Sequence, residues 1–144
     1  MKAQLTTVLR VHLGCAVLLF SASLCAEPSA EKGSIPTELL ATGDDALTLG
    51  FRSSLEEATE KSSYFSRPTS RDANVLVMTI PTNVYARPAQ GKLNFQYVVI
   101  FTDRHSTFLG ASIHSCWDDR IHECAAVVLR EARQAWARRV PDGA

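Results

Sequence analysis

The chain has 144 residues, 46% of them hydrophobic, and its 15 Lys and Arg balance its 15 Asp and Glu to a formal net charge of zero. That length suits one domain around one core. A balanced charge argues against a nucleic-acid partner, because binding a phosphate backbone calls for a basic excess.

The first 26 residues read as a secretory signal peptide. Lys2 and Arg10 give a positive start, residues 13–20 form a short apolar run, and small residues lead to Ala26 before the polar Glu27-Pro28-Ser29. That order marks a cleaved leader. A spanning helix needs roughly 20 apolar residues, and Ser21 and Ser23 interrupt this run. Cys25 follows Leu24, which does not fit a lipoprotein signal. Cleavage is expected after Ala26, with Cys25 as the alternative, leaving a periplasmic or secreted chain with no stable membrane insertion.

Residues 27–42 are expected to be a flexible lead-in, residues 43–140 a single domain, and residues 141–144 a tail. Charge is uneven along the mature chain. Residues 27–60 hold eight acids and two bases, whereas residues 120–144 hold five Arg and three acids. Arg130, Arg133, Arg138 and Arg139 read as a solvated helix face and tail, with contact to an anionic partner as the alternative.

Asp44 or Asp45 can cap a first helix. Leu47, Phe51, Leu55 and Ala58 recur at helical spacing, and the helix is expected to end near Ser62. Tyr64-Phe65-Ser66 suggests a short strand. The β-branched run Val75–Ile80 stops at Pro81 and reads as a second strand. Residues 81–91 read as an irregular connection with two prolines.

Leu93, Phe95, Tyr97, Val99 and Phe101 alternate with Asn94, Gln96, Val98 and Ile100. Alternation places the first set on one strand face. The far end is apolar on both faces and is expected to be the better covered end. A turn at residues 102–107 returns the chain as a partner strand over residues 108–116. Ile121, Cys124, Ala125, Val128, Leu129, Ala132 and Trp136 then mark an amphipathic last helix, capped by Asp118 or Asp119. The expected fold is α+β: a two-layer sandwich with an antiparallel sheet of three to four strands and both helices on one face.

This order of elements resembles the small α+β domains of bacterial envelope proteins, of the TolB amino-terminal and CsgG-like type. The resemblance lies in a leading helix ending near Ser63-Tyr64-Phe65, then Asn74-Val75-Leu76-Val77, then a long hairpin and a closing helix, over about residues 43–138. Those domains are mostly non-catalytic parts of envelope assemblies, so the resemblance implies a binding role.

Cys116 and Cys124 remain after the leader, and an even pair in an exported chain reads as one disulfide. Strand parity sets Cys116 with Ser112 and His114, opposite Leu109, Ala111 and Ile113. If the apolar set faces the helix, the strand must end or bulge before Cys116. Zinc is the alternative, with His114, Cys116, His122 and Cys124 as ligands. Residues two apart on a helix point about 200° apart, so His122 and Cys124 diverge, and no metal or other cofactor is expected.

Catalytic patterns fail on their spacing. Gly110-Ala111-Ser112-Ile113-His114 lacks the second glycine of a nucleophile elbow. His122-Glu123 has no histidine four residues after His122. The expected function is therefore an exported, non-catalytic binding or accessory protein, with another envelope or periplasmic protein as partner. A periplasmic inhibitor or toxin-immunity protein is one alternative, and a small hydrolase using a histidine with Asp103, Asp118 or Asp119 is another. Binding candidates are Tyr85 and Arg87 in the 81–91 connection and Asp103, Arg104 and His105 in the hairpin turn.

Overall fold

The computed structural model describes residues 35–139. The leader, residues 27–34 and the tail lie outside them. The chain orders as β1 (Ile35–Ala41), α1 (Ala46–Lys61), β2 (Phe65–Ser66), β3 (Leu76–Ile80), β4 (Tyr85–Ala89), β5 (Lys92–Asp103), β6 (Phe108–Trp117), a 3₁₀ turn (Asp118–Arg120) and α2 (Ile121–Ala137).

The fold is α+β, but the sheet is larger than expected and mixed. β1 pairs in parallel with both β2 and β3, while β3, β4 and β6 pair antiparallel with β5. Residues 35–41 thus correct the expected lead-in. They form an interior strand whose Ile35 and Thr37 are buried. The polar letters around Ile35-Pro36-Thr37 hid a strand whose partners lie thirty to forty residues further on.

β3 and β4 lie end to end along one side of β5, and β6 runs along the other. The interruption falls at residues 81–84. Pro81 has no N–H to give to a ladder, and the segment is drawn off toward α1. There the Val84 amide donates to Thr48 Oγ1 at 2.8 Å, and Asn83 Oδ1 accepts from the Asp44 amide at 2.9 Å. The expected irregular connection is therefore half strand. β4 closes onto β5 through Gln90 and Gly91, both at positive φ (53° and 76°). That is the mirror-image two-residue turn whose twist suits a hairpin.

α1 begins as expected. Asp45 Oδ1 accepts from the Leu47 and Thr48 amides, each at 3.0 Å. Asp118 and Asp119 do not cap α2. They occupy the 3₁₀ turn, and Asp119 reaches Lys92 instead.

Both helices cover one sheet face, as expected. Phe51 of α1 stands over Phe95 and Tyr97 at ring separations of 5.7 and 4.6 Å. The inward rows of β3 and β5 (Leu76, Met78, Ile80, Phe95, Tyr97, Val99, Phe101) are fully or almost fully buried with Leu55, Val128 and Ala132.

The strand break expected before Cys116 does not occur. β6 runs unbroken to Trp117, and its Ser112 and Cys116 face the helices. Register explains the reversal. Phe95, Tyr97, Val99 and Phe101 stand directly opposite Cys116, His114, Ser112 and Gly110. Opposed residues share a face, so β5 supplies the bulk and β6 the small side chains beneath α2. The one irregularity is between Phe101 and Thr102, where Leu109 is skipped.

Candidate functional site

The same parity exposes the apolar set of β6. Ile113 is 66% and Phe108 67% exposed. Reading register across the sheet gives the outward rows. Glu38, Val77, Thr102 and Phe108 form one; Leu40, Thr79, Ile100 and Ala111 the next; Val98 and Ile113 a third. Then come Tyr85, Gln96 and Ser115, and finally Arg87, Asn94 and Trp117. Five of the seven large apolar side chains left exposed among the described residues stand on this face, namely Leu40, Tyr85, Val98, Phe108 and Ile113. Between the rows of Glu38 and Arg87 it carries no charge. Scattered surface apolar residues need no explanation, but a contiguous uncharged patch marks an interaction site. Near its centre a hollow of about 370 Å³ opens among Thr82, Tyr85, Gln96, Val98, Ile113 and Ser115.

Val98 and Ile100 were expected at the better covered end of β5. Val98 is exposed and Ile100 only partly buried, because both helices lie on the other face.

The predicted binding residues fall into two groups at opposite ends of the sheet. Tyr85 and Arg87 stand on β4, on the bare face, with the guanidinium 5.0 Å from the Tyr85 ring centre and Nε donating to the phenol oxygen at 3.2 Å. Asp103, Arg104 and His105 lie at the other end. Asp103 Oδ1 accepts from the His105 and Thr107 amides, both at 2.8 Å, and so shapes the turn. Burial opposes ionisation of this carboxyl, but the Thr107 and His105 groups outweigh it and hold it below its usual range. Arg104 donates to the Asp72 carbonyl at 2.8 Å. The two groups do not form one site.

A polar cluster lies under α2. His114 Nε2 meets Glu131 Oε1 at 2.8 Å. The hydroxyls of Ser112 and Tyr97 face the same region. Ser112 Oγ is the one buried side-chain polar atom among the described residues without a hydrogen bond of good geometry. Desolvation acts to raise the Glu131 carboxyl, yet Ser112 and His114 prevail and keep it low. Burial pushes the Tyr97 phenol up. The carboxylate here stands beside both the hydroxyl and the imidazole. A catalytic triad has the imidazole between the other two; here the carboxylate stands between, and the His114–Glu131 contact ties β6 to α2.

Cys116 and Cys124 form a disulfide, with a Cα separation of 6.2 Å. Of the proposed zinc ligands, His114 goes to Glu131, while His122 Nδ1 meets Ser54 Oγ at 2.8 Å on α1. No group of three or more metal-binding side chains gathers among the described residues.

No protein-family model and no curated protein sequence matches this chain. The reading of its function therefore rests on its own residues. What sequence reasoning missed was the outward face carrying Leu40, Val98, Phe108 and Ile113. The signal was present in the doubly apolar end of β5, which reads as the better covered end.

Proposed function

We propose that the chain is an exported, non-catalytic binding or accessory protein that docks through the bare face of its sheet. The uncharged apolar surface around Val98 and Ile113 carries this reading, because water-exposed side chains of that kind gain most by being covered. Support for export comes from the leader-like order of residues 1–26, and the disulfide suits an oxidising compartment. The resemblance to envelope domains points the same way.

Two measurements test it. Fractionation with amino-terminal sequencing should find the chain in the envelope or medium, starting at Glu27 or Ala26. A full-length, reduced chain in the cytosol would end the export reading. In the second, site-specific crosslinkers at positions 98 and 113 should trap a protein contact that the Ile113→Lys variant loses while keeping its native circular dichroism. Crosslinks unaffected by Ile113→Lys would remove the bare face as the docking surface.

A further inference from the structure

Resting on the reading of the bare face as an interface, we infer that its occupant is a second copy of this chain, packed sheet to sheet about a two-fold axis that lies between the sheets and runs across the strands. The argument is the register itself. Such an axis, set at the row of Val98 and Ile113, reverses position along the strands and keeps position across them. It lays Val98 on Val98 and Ile113 on Ile113 of the other copy. Phe108 and Trp117 occupy the same strand, opposite Thr102 and Asn94 of β5, which are eight residues apart and equally far from the axis. Each Phe108 therefore meets the other copy's Trp117. Leu40 lies one row to one side and Tyr85 one row to the other, so these two come within about one strand spacing of each other.

Charge follows the same rule. Glu38 is in register with Thr102 through Val77, and Arg87 with Asn94. They lie at opposite ends of the face, about 26 Å apart along the strands. The axis brings each Glu38 to within about one strand spacing, ~4.8 Å, of the other copy's Arg87. Two symmetric ion pairs then flank an uncharged centre. A two-fold axis along the strands, by contrast, leaves these charges at opposite ends of the pair. Aligned packing of two such faces is an ordinary sandwich geometry. The footprint, about 26 Å by about 15 Å per copy, is about half that of a standard stable pair, so association should be weak and depend on concentration.

Sedimentation velocity of the oxidised mature chain across a wide concentration range tests this. A monomer–dimer equilibrium is expected, which Ile113→Lys abolishes. Glu38→Arg and Arg87→Glu should each weaken it about tenfold, and the double reversal should recover most of that loss. A chain that stays monomeric at all concentrations overturns the inference, as does a dimer indifferent to Ile113→Lys or a double reversal no tighter than the single variants. If the chain is monomeric yet crosslinks at position 113 to a different protein, the docking reading survives and the second copy does not. If it is monomeric and no such contact forms, both fall.

Discussion

Asp45 joins three parts of the molecule. Its carboxylate takes the free amides of Leu47 and Thr48 and also the Thr48 hydroxyl, whose oxygen in turn accepts from Val84 beyond the broken strand. The Thr48 hydroxyl and then the Thr48 amide are the main causes that hold Asp45 below its ordinary value of 3.8. A lowered folded-state pKa gives stability that is present above the unfolded value and fades as pH falls through the folded one. Asp45→Ala should therefore cost about 1–2 kcal/mol at neutral pH in urea unfolding, and the gap from the parent should narrow as pH falls below 3.8. An equal gap at pH 7 and at low pH would disprove the capping account. Gly43 belongs to the same junction. A Cβ there would stand 2.5 Å from Asn83 Oδ1 and 2.8 Å from Thr48 Cγ2, so Gly43→Ala should lower the melting temperature. The cap was legible in the sequence because it is local. Its link to Val84 was not, because nothing in the order of residues 44–48 names a partner thirty-six residues away.

At the level of elements, the β4–β5 hairpin turns on Gln90 and Gly91. A non-glycine residue at positive φ carries a local cost that Asn bears best. Gln90→Asn should stabilise the domain by about 0.5 kcal/mol, and Gly91→Ala should destabilise it by about 1 kcal/mol; denaturation midpoints of the two should move in opposite directions. The disulfide ties the end of β6 to the first turns of α2. Replacing both Cys116 and Cys124 by Ala should cost about 2–3 kcal/mol, the amount expected for closing so short a loop. The mature chain, without Cys15 and Cys25, should show no reactive thiol when labelled unfolded and unreduced. The pairing was readable once Cys15 and Cys25 were assigned to the leader, because two cysteines then remain. The facing of β6 was not, since its inward residues Gly110, Ser112, His114 and Cys116 look less core-like than Leu109, Ala111 and Ile113. Bulk on β5 decided the matter, and hydrophobicity read strand by strand cannot see a neighbour's volume. Gly110 shows the tolerance. A Cβ there would lie 3.4 Å from Ala135 Cβ, so Gly110→Val should drive α2 off the strand and lose several degrees in a thermal melt.

Over the whole molecule, two helices shield one side of a six-stranded sheet and leave the other to its surroundings. Phe51, Leu55 and the α2 stripe announced the covered side through their spacing. The bare side was written in the same letters as a core, in Val98, Ile100 and Ile113, and only the position of the helices tells the two apart. β1 shows the opposite failure, where too few apolar letters stood beside long-range parallel pairing. Sequence order also conceals where the chain ends lie. β1 starts beside β2, two positions before the pair Thr37 and Leu76, whose neighbour on β5 is Asp103. α2 finishes near Ala135, which approaches Gly110 opposite Phe101. The first and last described residues therefore lie at a single rim, and the Gln90–Gly91 turn occupies the far one. An attachment made directly at Ile35 or at Arg139 would meet the domain on that rim, with the Gln90–Gly91 turn at the opposite one.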